Sequence, residues 1–336
     1  MTHILITGGC GFIGHYLVDA VLKTTDWDIS VIDALTYASR GLSRLQDIGA
    51  FDNDRVRVFP IDLAQPMSED TKKELGEIDY IVHLAAEVCV DKSIKDPEKF
   101  IYSNILGTFQ LLQFARECRP KRFIYASTDE VFGPAVDGVS HREWTGYNSS
   151  NPYSATKASC EELAMAWANT YALPIVVTHT TNVFGKRQNP EAFIPNTIGK
   201  ILQGKKVFIN ADNTKTLSGA RFYVHGDDVA SAILFLLTRD IAQRDKFNIS
   251  GEQEISNLEL ARRIAAALGK PLDYEMTNTI RPGCDFRYSL DGSKMSEMGW
   301  RPVRSLRESL EQIVYWYSEN PKWLIPCSTT VLGKKK

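Results

Sequence analysis

Short runs of apolar and β-branched residues recur at 3–7, 29–33, 56–62, 80–85, 122–127 and 174–180. They are apolar nearly throughout rather than alternating, as strands covered on both faces should be. Between them, at 15–23, 100–118 and 154–171, apolar positions return at the helical period. Strands separated by helices imply right-handed βαβ units and an α/β fold, a doubly wound parallel sheet. After about Asn182 the pattern is less regular, with Gly and Pro punctuation and one more apolar run at 246–249. The expected division is a sheet domain over 1–181 and a smaller C-terminal domain over 182–330. The two are interleaved through a returning segment near 221–250, with no flexible linker or internal repeat. The final Gly333-Lys-Lys-Lys336 reads as a frayed end.

Composition narrows the function classes. The formal charge of −2 argues against nucleic acid or an anionic membrane as the main partner. The 6 cysteines are scattered without a C-x-x-C pair, which fits reduced thiols better than a disulfide framework or a metal site. The first residues enter a strand pattern at once, so no secretory leader is visible, and no apolar stretch is long enough to span a bilayer. A soluble cytoplasmic protein without a bound metal is expected.

The first candidate chemistry is Thr7-Gly-Gly-Cys-Gly-Phe-Ile-Gly14, directly after the first strand and opening a helix. Gly8, Gly11 and Gly14 allow unusual backbone angles and close approach of a pyrophosphate, and the helix start offers N–H groups to its charge. Asp33 ends the second run, where a carboxylate can accept from ribose hydroxyls. It would repel a 2′-phosphate, and no basic residue follows until Arg40, so NAD is favoured over NADP. Asp62 and Leu63 after the third strand can contact the adenine; Leu84, Ala85 and Ala86 after the fourth are small enough for the cofactor to pass.

Tyr153 and Lys157 stand four apart at the start of a helical segment and share a face. An ammonium and a positive nicotinamide ring would both favour the phenolate, lowering the tyrosine pKa so that it can take a proton from a sugar hydroxyl. Thr128 can hydrogen-bond the same hydroxyl. Asp129 and Glu130 follow it, closing a strand-like run. They fit a polar strand end as well as an acid–base pair. Neighbours on a regular strand point to opposite faces, so both can face one pocket only if the strand breaks there. Two carboxylates in one desolvated pocket cannot both ionise easily, which would supply one general acid and one general base.

Taken together, these motifs resemble the extended short-chain dehydrogenase/reductases with a Rossmann-type domain. Within them the chain is most similar to the nucleoside-diphosphate-glucose 4,6-dehydratases, the dTDP-glucose enzymes above all. The resemblance runs nearly end to end. It is carried by Thr7 to Gly14, Asp33-Ala-Leu-Thr-Tyr-Ala38 (with Leu35 and Thr36), Leu84-Ala-Ala-Glu87, Val90-Asp-Lys-Ser-Ile94, Ser127-Thr-Asp-Glu-Val-Phe-Gly133, Tyr153 to Lys157 and Arg281-Pro-Gly-Cys-Asp-Phe-Arg-Tyr288. The Thr-Asp-Glu triplet is the specific one.

The resemblance implies an NAD held through the cycle, touched by Gly8, Gly11, Phe12, Ile13, Gly14, Asp33, Leu35, Thr36 and Ser103. It implies that Tyr153 removes the C4 hydroxyl proton as hydride leaves C4, that Glu130 takes the C5 proton, and that Asp129 protonates the departing C6 hydroxyl. Glu87, Thr128, Asn182, Arg221, Asn257, Arg281 and Tyr288 would surround the sugar nucleotide. A homodimer through the 100–118 and 154–171 helices is implied as well. The chain departs from the family pattern at Val88-Cys89, His179 and Val183, differences expected near the substrate that bear on the base and the sugar more than on the fold. Three readings stay open: a 4,6-dehydratase on dTDP-glucose, with UDP-glucose next; a 4-epimerase or UDP-glucuronate decarboxylase on the same fold; and an NAD-binding regulator without catalysis.

Overall fold

The computed structural model describes residues 1–278 and 286–326. Among these, seven strands form one parallel sheet: β1 (His3–Thr7), β2 (Asp28–Ile32), β3 (Val56–Phe59), β4 (Tyr80–His83), β5 (Arg122–Ala126), β6 (Ile175–Thr180) and the later Asp245–Ile249. The chain first runs outward from β1 through β2 to β3. It then returns to the other side of β1 for β4, β5, β6 and finally Asp245–Ile249. This reversal between β1 and β4 is the crevice where open α/β sheets bind ligands at the carboxyl ends of their strands.

The two-residue period of β1 divides the core. Ile4 and Ile6 face the helices Phe12–Thr24 and Gly226–Thr238, packed with Leu17, Val21, Val229 and Ile233. Leu5 faces the helices Gly107–Cys118 and Pro152–Tyr171, packed with Leu111, Leu112, Cys160 and Ala164. Both faces are therefore covered, the reason the strands are apolar throughout.

The later part adds β7 (Asn182–Phe184), β8 (Val207–Asn210), β9 (Ala220–His225), β10 (the Asp245–Ile249 strand), β11 (Glu254–Ser256) and β12 (Tyr274–Thr277). Strand β9 pairs parallel to β7 and antiparallel to β11; β8 pairs parallel to β12. The helices Phe193–Leu202, Asn257–Leu268 and Leu306–Glu319 bury Ile198, Ile264 and Ile313 in a separate cluster around these small sheets. Three segments of the later chain return to the first core: Gly226–Thr238, β10, and the turn carrying Met295 and Trp300.

Two elements differ from the sequence pattern for identifiable reasons. The run expected at 56–62 ends at Phe59 because Pro60 has no N–H to continue the ladder, and Asp62 turns to accept from the Ala64 amide at 3.0 Å. The helix expected over 100–118 is interrupted by a π-helical turn, Ile101–Leu106, a distortion frequent at functional sites. It lets buried Asn104 accept from the Glu87 amide (2.7 Å) and donate to the Glu87 carbonyl (3.1 Å) and Thr156 Oγ1 (3.0 Å).

The turn after β1 has no space for a side chain on Gly14. A Cβ on Gly14 would lie 2.1 Å from the Gly8 carbonyl oxygen and 2.6 Å from Gly9 Cα. Gly14→Ala is therefore expected to cost at least about 1–3 kcal/mol, as overpacking against a rigid neighbour does. An unchanged urea-unfolding midpoint would contradict this account of the turn.

Candidate active site

A single cavity of about 1040 Å³ lies at the carboxyl edge of the seven-stranded sheet. Gly8, Gly11, Phe12, Ile13, Gly14, Asp33, Thr36, Asp62 and Leu63 line one end of its wall, with Leu84, Ala85, Ala86 and Ser103 beside them. Glu87, Glu130, Tyr153, Lys157, Asn182, Arg221, Asn257 and Tyr288 line the rest. Of the residues singled out from the sequence, Leu35, Thr128 and Asp129 are set back from the wall, and Arg281 lies outside the described residues.

The glycine turn is closed by the Gly11 amide donating to the Gly8 carbonyl at 2.9 Å, with Gly8 at φ +73. Its helix begins at Phe12, so the first-turn N–H groups have no intrahelical acceptors and point to the cavity end of the axis. Asp33 accepts from the Cys10 amide at 3.1 Å and the Leu35 amide at 2.8 Å. Each oxygen keeps a lone pair for a ribose hydroxyl. Burial raises its pKa, partly offset by those two amides and by Arg44. A glycine turn opening a helix, a fixed carboxylate and a large cavity fit a nicotinamide dinucleotide.

The strand does break at the carboxylates. Strand β5 ends at Ala126, and Asp129–Phe132 forms a 3₁₀ turn capped by Thr128, whose Oγ1 accepts from the Glu130 amide at 3.4 Å. Thr128 Oγ1 also donates to Asp129 Oδ1 at 3.2 Å. Asp129 Oδ2 is buried and has no hydrogen-bond partner among the described residues. Burial, then the neighbouring Glu130 charge, push the Asp129 carboxyl up to about 7, with Arg221 opposing. Glu130 reaches the wall and accepts from Asn151 Nδ2 at 3.2 Å.

Asn151 is also the cap of the helix Pro152–Tyr171, in a reciprocal box with Ser154 and with Pro152 at the first helical position. The helix start is thus tied to Glu130. Lys157 is buried and donates to the Ala126 carbonyl at 2.6 Å, with its ammonium 4.4 Å from the centre of the Tyr125 ring. Burial lowers its pKa to about 8. Burial raises the Tyr153 phenol, and the Glu130 and Asp129 charges add to this; a hydrogen bond with Thr128 opposes. The lowering of that phenol expected from Lys157 is not found in the protein alone, where burial and the two carboxylates hold it up.

At the far end, the Arg221 guanidinium lies 4.5 Å over the Tyr288 ring and donates to the Ala220 and Phe286 carbonyls, each at 2.7 Å. Asn257 opens the helix Asn257–Leu268 beside it. Glu87 pairs with Lys99 at 2.8 Å. Of the three departures, Val88 and Cys89 line the cavity, and Cys89 adopts φ +90. His179 is fully buried in β6 and does not line the wall, and Val183, next to the wall residue Asn182, does not line it either. Phe208 and Asn210 line the cavity and were not singled out by sequence; neither belongs to a motif with its own spacing signal.

Among the described residues, no group of three or more His, Cys, Asp or Glu side chains is arranged for a metal, and no helix is long and apolar enough to cross a membrane.

Comparison with known proteins agrees with this geometry. Residues 4–250 match the NAD dependent epimerase/dehydratase family. The dTDP-glucose 4,6-dehydratase of Salmonella typhimurium is 36% identical over 96% of this chain and 94% of its own. That of Mycobacterium tuberculosis is 35% identical over 96% and 95%. The crystal structure of the Streptomyces venezuelae dTDP-glucose 4,6-dehydratase, with NAD bound, superposes with a TM-score of 0.85 at 33% identity, covering 97% of this chain and 100% of that one. A UDP-glucuronic acid 4-epimerase from Bacillus cereus, also with NAD, gives 0.86 at 27% identity, covering 95% and 100%.

The raised Asp129 pKa has a stability consequence. Native Asp129 holds its proton to about 7, whereas an unfolded carboxyl releases it near about 4. The native state therefore binds more protons across that window, and stability falls as pH rises through it. Asp129→Asn should stabilise the protein above pH ~7, by an amount on the order of a few kcal/mol, and the gain should shrink toward pH ~4. Thermal melts of both proteins across this range test it; a pH-independent difference would contradict the assignment.

Proposed function

The chain belongs to the NAD dependent epimerase/dehydratase family, and we propose that it dehydrates dTDP-glucose to the 4-keto-6-deoxy sugar. The observation that carries this reading is the Asp129–Glu130 pair at the break of β5, one carboxyl held protonated to about 7 and the other on the cavity wall. Overall shape does not separate dehydratase from epimerase, since both kinds of neighbour superpose equally well. The acid–base pair does, because epimerisation at C4 has no leaving group to protonate.

Bound NAD would supply a hydride acceptor for C4 and return the hydride at C6, leaving no net redox change. The dinucleotide would be held by the glycine turn, Asp33, Asp62, Leu63 and the Leu84-Ala85-Ala86 edge. Tyr153, as phenolate, takes the C4 hydroxyl proton. Since burial and two carboxylates oppose that charge, the compensating positive charge must come from Lys157 and the oxidised nicotinamide. Ketone formation at C4 acidifies the C5 hydrogen, which Glu130 removes. Asp129 protonates the C6 hydroxyl, and the C6–O bond breaks to release water; once hydride is back at C6, Glu130 returns the proton to C5. Arg221 and Arg281 would hold the diphosphate, to which a planar guanidinium bonds in a fork.

We also read the protein as a cytoplasmic homodimer. The four described cysteines are free. Ile101 and Tyr102 on the π-helical turn are 51% and 54% exposed, an apolar surface for a second copy. The division into a cofactor body, 1–181 with its returning segments, and a sugar-nucleotide body accords with Arg221, Asn257 and Tyr288 standing on the smaller sheets and their flanks.

A panel of dTDP-, UDP-, GDP- and CDP-glucose scored for a 4-keto product tests the substrate. The dTDP sugar should turn over fastest; a 4-epimer as sole product would overturn the reading. Tyr153→Phe should slow C4 oxidation by roughly 10²–10⁴-fold. Glu130→Gln should still reduce bound NAD with substrate yet exchange no C5 hydrogen with deuterated solvent. Normal exchange and dehydration by Glu130→Gln would make the carboxylate pair a polar strand end.

A further inference from the structure

One turn beyond Lys157 on the helix Pro152–Tyr171 stands Glu161, for which the reaction above has no use. Tyr153, Lys157 and Glu161 recur every four residues and share a helix face. Glu161 is fully buried. Its Oε1 accepts from Ser127 Oγ. Its Oε2 accepts from the Tyr147 hydroxyl at 2.8 Å, lies 3.0 Å from His179 Nε2 and accepts from Lys246 Nζ at 3.2 Å. Burial acts to raise its pKa, but His179, Lys246 and the Ser127 hydroxyl overcome this and hold it down at about 2.

A buried charge network is seldom the most stable filling for a core; apolar residues of similar volume often do as well or better. The position of this one points to another use. Ser127 is where the chain leaves β5, immediately before Thr128, Asp129 and Glu130. Its amide donates to the Thr178 carbonyl at 2.7 Å, and its carbonyl accepts from Thr180 Oγ1 at 3.4 Å. Its side chain connects this point to the helix of Tyr153, between the contacts of Lys157 with Ala126 and of Asn151 with Glu130. At the other end of the 3₁₀ turn, Phe132 packs on the His179 ring at 4.7 Å between centroids. The segment bearing both carboxylates is therefore gripped at each end by the cluster that Glu161 organises.

We propose that Glu161 is a positioning residue for the elimination step: through Ser127 it holds the Asp129–Glu130 turn in register with the helix that carries Tyr153 and Lys157. The proposal rests on the dehydratase reading. It separates the two halves of the reaction. Tyr153 and Lys157 belong to the helix itself, and Lys157 is anchored at Ala126, so the base at C4, unlike the Thr128 hydroxyl beside it, does not need the Ser127–Glu161 bond. Elimination does, because acid and base must both meet the sugar within a fraction of an ångström.

Two variants test this with dTDP-glucose in deuterated buffer, following NADH absorbance, C5 exchange and 4-keto product. Ser127→Ala removes only the link and leaves the Lys246 and His179 contacts of Glu161 intact. Glu161→Gln removes the charge that organises the cluster. Both should form enzyme-bound NADH within about threefold of the wild-type rate. Both should exchange C5 hydrogen and release product on the order of 10²-fold more slowly, the cost of misplacing a reacting group by about 1 Å. Glu161→Asp should fall between. If NADH formation and elimination decline together, Glu161 is merely structural and the proposal fails. Wild-type elimination in Ser127→Ala overturns it too, and that variant decides alone should Glu161→Gln not fold. Wild-type protein that forms NADH but no 4-keto-6-deoxy product would sink the dehydratase reading itself, and this proposal with it.

Discussion

The close approach of the first glycine turn to the end of β4 constrains everything built at the sheet edge. A Cβ on Gly8 would lie 2.7 Å from the Ala85 amide nitrogen, so the chains leaving β1 and β4 are in backbone contact. This contact sits where the strand order reverses. It brings the start of the helix Phe12–Thr24, the carboxylate closing β2 and the small residues after β4 to one end of a single cavity. It also places that end beside the exit of β5, where the acid–base residues stand. A long side chain in either segment would separate the two halves of the site.

Burial then sets the chemistry. Tyr153, Lys157 and Asp129 are all pushed toward their neutral forms, and the shared cause is desolvation. For Asp129 the neutral form is the useful one, because a leaving hydroxyl needs a proton. For Tyr153 it is the resting form, and the phenolate becomes affordable only alongside positive charge. The same burial therefore keeps an acid ready and a base latent. That arrangement suits a reaction in which oxidation must precede loss of water.

One helix connects these parts. The Pro152–Tyr171 helix is capped by Asn151, which also bonds Glu130, and it presents Tyr153 and Lys157 to the cavity. Deeper in, Glu161 reaches the chain at the exit of β5 through Ser127. Three contacts thus register the β5 exit against the helix: Asn151 to Glu130, Lys157 to Ala126, and Glu161 to Ser127. His179 belongs to this buried cluster, so its departure from the family pattern concerns support of the turn more than recognition of the sugar.

Local signals in the sequence determined the parallel sheet, the glycine turn with Asp33, and the Tyr153–Lys157 face. Each rests on a short-range rule: apolar runs for strands covered on both sides, turn glycines for close approach, and four-residue spacing on a helix. Local rules also stated the condition for Asp129 and Glu130 to share a site, a break in the strand, without deciding that it occurs. Only the tertiary structure decided what joins residues far apart in the chain. The contacts of Asn104 with Glu87, of Glu161 with Ser127 and Lys246, and of Arg221 with Tyr288 have no periodicity to betray them. The direction of the Tyr153 and Asp129 pKa shifts was decided the same way, because desolvation depends on everything packed around a group and not on its neighbours in sequence.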